Sequence, residues 1–236
     1  MNTFKHSGDL GDIVYSLPTV RALGGGVLYL DPTGGLSDPL VVWGRRRNTS
    51  LNEGLINNMR PLLEAQDYIH GVELWNESVR IDFNLNEFRR NLTNNNLSDA
   101  HLKAFDLPFS HRDHAWLNIV NPLNHSSGRK TLVTRSLRVH SNHTFWERLS
   151  DSILADLVFV GNEFEYQVFS KTFSYEVPFW DLSIPELARA IAGCDLFMSN
   201  QTLGAAIAEG LKKDLIQEVY RLFPTAIFQR KGATYV

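Results

Sequence analysis

Short apolar runs alternate with amphipathic segments along this chain, and clusters of turn residues separate them. The runs 27–30, 157–160 and 195–199 have the length of buried strands, whereas 51–68 and 202–212 have the spacing of helices. Strands and helices that alternate at this spacing predict βαβ units and parallel sheets. We therefore expect an α/β protein.

Two predicted helix starts carry a capping box, in which Ser or Thr at the N-cap is followed three residues later by Glu. Thr144 and Glu147 predict a helix that runs to about residue 155. Ser183 and Glu186 predict another that ends near residue 193.

The first predicted helix covers 12–23 and contains Pro18. Because proline has no backbone N–H, Pro18 should kink this helix or remove one of its hydrogen bonds. Gly24, Gly25 and Gly26 follow and are expected to end the helix. Further strands of the first half are predicted at 71–75, 79–83 and 115–120.

A seam divides the chain into near-equal parts. Pro, Asn, Ser and Gly are concentrated at 121–130, between two apolar runs, which is typical of a segment between domains. We therefore expect two Rossmann-like halves, over 1–123 and 129–236.

Composition narrows the class of protein. The net charge of −3 is unlike the strongly basic balance of a protein that coats nucleic acid. Cys194 is the single cysteine, which excludes an internal disulfide and a cysteine metal cluster. The N-terminus lacks the pattern of a signal peptide, and no apolar stretch approaches the roughly 20 residues that span a bilayer. A cytoplasmic protein without a transmembrane segment is expected.

The loop before the first helix combines glycines with carboxylates. It is formed by Ser7, Gly8, Asp9, Leu10, Gly11 and Asp12. Ligands of open parallel sheets bind at the carboxyl ends of strands, so this loop is a candidate site. Its carboxylates suit a general base or a clamp for hydroxyl groups better than a phosphate site. For Asp12, a structural N-cap is the alternative.

The same residues carry a family resemblance. Ser-Gly-Asp-Leu-Gly-Asp-Ile at 7–13, with Leu-Pro at 17–18 and Arg-Ala-Leu at 21–23, resembles the opening of heptosyltransferase-type glycosyltransferases of family 9. The resemblance implies the GT-B fold, two Rossmann-like domains that face each other across a cleft. It implies that Asp12 is the catalytic base. It places Ser7, Gly8, Asp9, Leu10 and Gly11 on the acceptor side.

A second match covers 187–219. Here 187–202 resembles the helix, strand and loop that lead to the donor diphosphate in this family, and 204–211 resembles the following small-residue helix. A helix N-terminus offers N–H groups and about half a positive charge to a pyrophosphate. The expected contacts are Asn200, Gln201, Thr202, Leu203 and Gly204. The family commonly has an Asp and a nearby His in this loop, and an N-cap with close helix packing is the structural alternative.

Residues at other strand ends complete the expected donor site. Arg135 can hold a diphosphate through its forked guanidinium. The resemblance places Phe179 and Trp180 near the nucleotide base, with core packing as the alternative. Gly161 is expected to line the cleft, and Glu218 to hold ribose hydroxyls. The sequence contains no metal-binding motif, so no metal or cofactor is expected beside the nucleotide sugar.

The resemblance thus implies an enzyme that moves a hexosyl or heptosyl group from a nucleotide-diphosphate sugar to an acceptor hydroxyl, with inversion and without a metal. The acceptor stays open between a glycan, a lipid-linked sugar and a nucleic acid. The chain is short for the family, which leaves room for a different acceptor, such as a modified DNA base of the phage type. Arg45, in a basic run, is the candidate contact for such an acceptor. A solvated charged face is the alternative for this run. A non-catalytic nucleotide-sugar-binding protein is the rival hypothesis.

Overall fold

The computed structural model describes residues 1–33, 51–92, 95–123, 130–138, 141 and 144–236, and the structural statements below refer to these residues. They divide into two compact units, Met1–Asn118 and Ile119–Val236. Each unit contains its own parallel sheet with helices. The predicted α/β class with a Rossmann-like sheet in each half is confirmed.

The first unit is built on a four-stranded parallel sheet. Its strands are β1 (Asn2–His6), β2 (Gly26–Leu30), β3 (Ile69–Leu74) and β4 (Phe83–Asn84). Its helices are α1 (Leu10–Ala22), α2 (Glu53–Glu64) and α3 (Leu97–Lys103), with 3-10 helices at Leu85–Asn91 and Phe109–Arg112. The strand order is β3-β2-β1-β4, so the connections on the two sides of β1 run in opposite directions across the sheet.

Glycine is required where α1 turns back toward β2. Gly24 and Gly25 have φ values of 89° and 70°, in the left-handed region that favours glycine. A Cβ on Gly25 would overlap the carbonyl oxygen of Tyr68. The predicted end of the first helix at the glycine run is confirmed.

Two strands predicted for the first unit are wrong in part or in whole. Of 79–83, only Phe83 joins the sheet, in β4. Residues 115–120 form no strand. The Gln66 side chain takes the place of a neighbouring strand there, because its Oε1 accepts from the Asn118 N–H at 2.8 Å and its Nε2 donates to the Asn118 carbonyl at 3.3 Å. These bonds satisfy the backbone without a sheet.

The second unit contains a six-stranded parallel sheet. Its strands are β5 (Thr131–Thr134), β6 (Leu157–Val160), β7 (Phe179–Trp180), β8 (Leu196–Ser199), β9 (Asp214–Gln217) and β10 (Ala233–Tyr235). Its helices are α4 (Asp151–Asp156), α5 (Glu163–Phe173), α6 (Ile184–Gly193) and α7 (Leu203–Gly210), with a 3-10 helix at Trp146–Arg148. The order β10-β9-β8-β5-β6-β7 is the doubly wound Rossmann order, whose connections change direction between β5 and β8.

The helix predicted over 144–155 is wrong in its first half. The chain forms a 3-10 turn at Trp146–Arg148, and α4 begins only at Asp151, with Ser150 as its N-cap. Trp146 is fully buried, and its indole Nε1 donates to the Glu218 carboxylate at 2.7 Å. Burial of this large side chain outweighs the local capping signal at Thr144.

Two further helices of the second unit show the strength and the limit of local signals. The capping box that opens α6 is confirmed, since the Glu186 carboxylate accepts from the Ser183 N–H at 2.9 Å. The apolar pattern does not predict α5, whose Phe169 is buried in the core with Tyr166 and Phe173 packed against it. The Asn162 side chain caps α5 by accepting from the Glu165 N–H at 2.9 Å.

The boundary between the units lies just before the predicted seam at 121–130. The segment before residue 124 is bound to α6, because the Leu123 N–H donates to the Arg189 carbonyl at 2.9 Å. In return, Arg189 Nε donates to the Asn121 carbonyl at 2.8 Å. These bonds make 119–123 part of the second unit.

The second unit has an aromatic core beneath β5, β6 and β8. Its fully buried members include Trp146, Phe159, Phe169 and Met198. Helix α6 buries its apolar face in this unit, and α5 contributes the buried Phe169. Within the described ranges, no helix has both the length and the apolar character that crossing a membrane requires.

Candidate active site

The first candidate region lies where the first sheet changes direction, between β1 and β4. The loop after β1 leads into α1, and the chain after β4 enters the 3-10 helix Leu85–Asn91. Both follow the carboxyl ends of their strands, where ligands of open α/β sheets bind. The structure therefore places the predicted residues 7–12 together at such a point.

Asn86 anchors the start of the β1–α1 loop. Its Oδ1 accepts from the Ser7 N–H at 3.2 Å and from the Ser7 hydroxyl at 2.8 Å. The same oxygen accepts from Arg89 Nη1 at 2.6 Å. Because Ser7 and Asn86 are both buried, these bonds fix the path of the loop.

Gly8 is enclosed between His6 and Asp12. Its N–H donates to His6 Nδ1 at 2.8 Å. A Cβ at this position would lie 2.6 Å from His6 Cε1 and 2.8 Å from Asp12 Oδ2. The loop can pass this closely to the carboxylate only because residue 8 has no side chain.

Asp12 lies in the first turn of α1. Asp9 is the N-cap residue with extended backbone, and Leu10 and Gly11 form the first helical positions. The Asp9 carbonyl accepts from the Ile13 N–H at 3.2 Å. Asp12 is half-buried, and the helix N-terminus stabilises negative charge at this position. A partly solvent-accessible carboxylate of fixed position can accept a proton from a bound hydroxyl.

Two buried histidines lie beneath the loop. His6 Nε2 is 3.1 Å from His101 Nε2 of α3, and both rings are fully buried. Burial, the neighbouring His101 and the charge of Arg89 hold the pKa of His6 well below its usual value. Burial lowers the pKa of His101 to about 3, helped by Arg89 and opposed by its bond to the Leu97 carbonyl. Both rings are thus neutral near pH 7.

The second candidate region lies where the second sheet changes direction, at the ends of β5 and β8. Thr202 is the N-cap of α7, and its Oγ1 accepts from the Ala205 N–H at 3.2 Å. Its hydroxyl also bonds to Ser199 Oγ at 2.7 Å and Thr134 Oγ1 at 3.2 Å. The three hydroxyls join both strand ends to the start of the helix.

Leu203 and Gly204 supply the first two backbone N–H groups of α7, which have no partner inside a helix. Gly204 is buried and close to β8, since a Cβ there would lie 2.6 Å from Phe197 Cζ. The predicted helix start is therefore present and closely packed on the sheet. The N-terminus of a helix is a place where anions bind, so the diphosphate role stays a prediction.

Asn200 and Gln201 bind neighbouring loops. Asn200 Nδ2 donates to the Arg138 carbonyl at 2.7 Å, and its Oδ1 accepts from the Ser136 N–H at 3.0 Å. Gln201 Nε2 donates to the Phe223 carbonyl at 2.9 Å, and its Oε1 accepts from the Tyr220 N–H at 2.9 Å. These two amides shape the carboxyl edge of the sheet by fixing the loops after β5 and β9.

Arg135 and Glu218 form a buried ion pair with each other. Arg135 Nε and Nη2 donate to the Glu218 carboxylate at 2.9 and 3.3 Å, and Glu218 is fully buried. The carboxylate also accepts from Trp146 Nε1 at 2.7 Å and the Ser141 N–H at 2.8 Å. Both side chains are thus bonded within the protein. The expected roles of Arg135 at the diphosphate and Glu218 at the ribose stay predictions, and these contacts do not favour them.

The aromatic pair expected near a nucleotide base forms β7. Phe179 stacks on Tyr166, with ring centroids 4.9 Å apart, and packs against the core. Core packing, the alternative given for Phe179, accounts for these contacts. Trp180 is half-buried on the next position of the strand, and its carbonyl accepts from the Gly161 N–H at 3.3 Å.

Several residues that build these regions escaped the sequence interpretation. Asn86 and His101 hold the first loop, although nothing in the local sequence links them to it. Glu165 lies after the end of β6. Burial raises the pKa of its carboxyl group, and the charge of Arg138 partly opposes this shift. The Asn-Glu-Phe-Glu run at 162–165, which follows a strand and resembles a helix start, could have indicated Glu165.

Two other expectations from the sequence concern Arg45 and a metal ion. Arg45 lies outside the described residues. Among the residues that are described, no group of three or more His, Cys, Asp or Glu side chains is placed to hold a metal ion.

Two solved structures with a similar architecture are glycosyltransferases. The crystal structure of the glycosyl transferase family 9 from Veillonella parvula DSM 2008 matches with a TM-score of 0.61 at 10% identity, over 99% of this chain and 86% of that chain. The fold of the present chain therefore resembles that of a family 9 enzyme. The E. coli heptosyltransferase WaaC with ADP-2-deoxy-2-fluoro heptose matches with a TM-score of 0.56 at 11% identity, over 100% and 93% of the two chains. No protein-family model and no curated protein matches the chain.

The structural likeness confirms, at the level of the fold, the family 9 resemblance seen in the sequence. It covers nearly the whole chain, whereas the sequence motifs cover two short stretches. Because the identities are so low, the likeness establishes the architecture alone. The activity has to be argued from the residues of the two candidate regions.

Proposed function

We propose that this protein is an inverting, metal-independent glycosyltransferase that moves a hexosyl or heptosyl group from a nucleotide-diphosphate sugar to an acceptor hydroxyl. One observation carries the proposal. Asp12 is held in the first turn of α1, at the direction change of a parallel sheet, in a chain whose fold resembles solved family 9 glycosyltransferases. A fixed carboxylate at this position suits a general base.

In the proposed reaction, the oxygen of the acceptor hydroxyl attacks the anomeric carbon of the donor sugar. Asp12 accepts the proton that this hydroxyl loses. The bond from that carbon to the diphosphate oxygen breaks on the opposite face, which inverts the configuration. The close approach of Gly8 to Asp12 supports this role, because it fixes the carboxylate. A base held in place contributes roughly 100-fold to 10,000-fold to such a step.

The departing diphosphate is proposed to bind at the start of α7. The N–H groups of Leu203 and Gly204 and the positive end of the helix stabilise the charge that develops on it. Arg138 is the proposed basic partner in place of Arg135, because Arg138 is exposed and its carbonyl is fixed by Asn200 beside the helix. This arrangement supports transfer without a metal ion.

The remaining nucleotide contacts are proposed at the ends of β6 and β7. Glu165, which is half-buried beside Gly161, is a better candidate than Glu218 for binding ribose hydroxyls. Trp180 is a better candidate than Phe179 for contact with the base, since Phe179 is stacked on Tyr166. An adenine nucleotide is the first donor to test, because the E. coli neighbour is described with ADP-2-deoxy-2-fluoro heptose.

A donor screen tests the proposal. Thermal unfolding is followed with ADP-glucose, ADP-2-deoxy-2-fluoro heptose, UDP-glucose, GDP-mannose and a CMP-sugar. A donor at 100 times its Kd should add about 2.7 kcal/mol of apparent stability. A response to none of these compounds would count against nucleotide-sugar binding.

Asp12→Asn then separates an enzyme from a binding protein. The variant should keep the thermal shift with the donor but lose transfer or slow donor hydrolysis by about 100-fold or more. Asp67→Asn, at an exposed position of the same unit, is the matched control and should behave like wild type. Wild-type turnover by Asp12→Asn would exclude the base role, and binding without turnover in the wild type would favour the binding-protein hypothesis.

A further inference from the structure

The buried contact between His6 and His101 has a defined direction, which follows from the two groups at its ends. The backbone N–H of Gly8 can only donate, and it donates to His6 Nδ1 at 2.8 Å. His6 Nδ1 is therefore unprotonated, and the proton of the neutral ring is on Nε2. At the other end, the carbonyl of Leu97 can only accept, and it lies 2.7 Å from His101 Nδ1.

The Gly8 N–H and the Leu97 carbonyl together determine which ring holds the proton between the two Nε2 atoms. His101 carries its proton on Nδ1, so its Nε2 is an acceptor. His6 Nε2–H donates to it across 3.1 Å. One chain of hydrogen bonds thus runs from the Gly8 N–H through both imidazoles to α3, with each donor matched to an acceptor.

Neither ring can take up a second proton without breaking this chain. A proton on His6 Nδ1 would face the Gly8 N–H, and a proton on His101 Nε2 would face the N–H of His6. Arg89, which bonds to Asn86 beside the pair, further disfavours positive charge there. The rings stack with Phe88, whose centroid is 4.1 Å from that of His101.

Helix α3, which carries His101, also holds α1. Ser98 Oγ donates to the Tyr15 carbonyl of α1 at 2.9 Å, in a fully buried contact. The loop residue Gly8 and the helix that carries Asp12 are therefore fixed to the same short element. A shift of His101 would move the Gly8 backbone, at which an added Cβ would lie 2.8 Å from Asp12 Oδ2.

We propose that His6 and His101 are positioning residues for Asp12, which hold the Gly8 backbone through a directed chain of neutral imidazoles and do not touch substrate. This inference rests on the proposed function for its catalytic consequence. Its structural content, the proton assignment and the fixed Gly8 N–H, is independent of that function.

The structural content is tested by NMR of the full chain labelled with 15N-histidine, at pH 7. The result expected is a neutral His6 with its proton on Nε2 and a neutral His101 with its proton on Nδ1, assigned with His6→Asn and His101→Gln. In His101→Phe, which can still stack on Phe88 but cannot hydrogen-bond, the Gly8 amide should exchange about tenfold faster or more. The reverse proton arrangement, a charged ring or unchanged exchange at Gly8 would overturn the proposal.

The catalytic consequence is tested with the donor identified by the thermal screen, in folded variants compared at one temperature. His101→Phe should lower kcat by about 100-fold with little change in the donor KM, because a small displacement of a catalytic group has an effect of this order. His101→Gln, which keeps an acceptor for His6 Nε2–H, should recover most of kcat. His70→Gln, at an exposed histidine of the same unit, is the control.

A wild-type kcat in His101→Phe, or an equal loss in His101→Gln, would overturn the positioning role. If the wild-type protein turns over no donor, the proposed function fails. The NMR measurement then decides the inference on its own, so the two failures are distinguishable.

Discussion

Trp116 supplies the hydrogen bond that Pro18 removes from its own helix. In an uninterrupted α1, the N–H of residue 18 would donate to the Val14 carbonyl, four residues earlier. Proline has no N–H, and instead the Trp116 indole Nε1 donates to the Val14 carbonyl at 3.1 Å. Val14 and Trp116 are both buried, so this bond satisfies a carbonyl that water cannot reach.

The loss of stability on removal of the Trp116 indole should therefore depend on the residue at position 18. Trp116→Phe should lower the free energy of unfolding by about 2 kcal/mol, from the lost hydrogen bond and the smaller side chain. In a Pro18→Ala background the helix regains its own donor, so the loss should be smaller by about 1 kcal/mol. Urea unfolding of the four proteins measures this difference, and strictly additive effects would contradict it.

A side chain at position 8 should displace the carboxylate of Asp12, the proposed catalytic base. In Gly8→Ala the new Cβ would meet Asp12 Oδ2 at 2.8 Å and His6 Cε1 at 2.6 Å, so either the loop or the Asp12 side chain must move. We expect a loss of turnover of about 100-fold. Gly71→Ala, where the nearest atom would be 3.9 Å from the Cβ, should retain activity and serves as the control. Full activity in Gly8→Ala would show that Asp12 does not need this fixed position.

The Arg135–Glu218 pair should matter mainly for stability. Removal of one member leaves the other charge buried without its partner, which costs about 3 kcal/mol. Arg135→Met should therefore lower the urea midpoint strongly, whereas Lys130→Met should change stability by about 0.5 kcal/mol or less. Lys130 pairs with Asp195 at the surface, where the two side chains are 62% and 68% exposed.

The same Arg135 variant also tests the diphosphate role predicted from the sequence. If the folded Arg135→Met protein still shows the thermal shift with the donor, Arg135 is a structural residue. A variant of unchanged stability that no longer responds to the donor would instead restore Arg135 to the binding site.

Acid should destabilise the protein through the buried histidines. The pKa values of His6 and His101 are lowered in the folded state, that of His101 to about 3, while in the unfolded chain they lie near 6.5. Below pH 6.5 the unfolded chain therefore binds protons that the folded state does not. The histidine contribution is fully present above this pH and falls by about 1 kcal/mol per pH unit and ring as the pH decreases.

Urea unfolding at pH 7.5, 6.5 and 5.5 measures this dependence. His101→Gln should show a shallower decrease between pH 6.5 and 5.5, since it removes one of the two rings. His70→Gln, at an exposed position, should follow the wild type. Equal slopes in wild type and His101→Gln would mean that His101 titrates in the folded protein as it does in water.

Much of the architecture was accessible because its signals are local. The cap at Ser183, the glycine run after α1 and the buried strand β6 are encoded within a few residues of where they act. The strand predicted at 115–120 failed for the opposite reason. Its apolar pattern is real, but the backbone bonds of Asn118 are taken by Gln66, which lies 52 residues earlier.

The candidate regions divide in the same way. The sequence by itself determined that a glycine and carboxylate loop follows β1 and that a Thr-capped helix of small residues follows β8, since both are patterns of neighbouring residues. Only the tertiary structure decided that Asn86 holds Ser7, that His101 holds His6, and that Arg135 binds Glu218. These partners are 79, 95 and 83 residues apart. A buried polar group takes its partner from whatever element the fold brings beside it, and the local sequence carries no record of that neighbour.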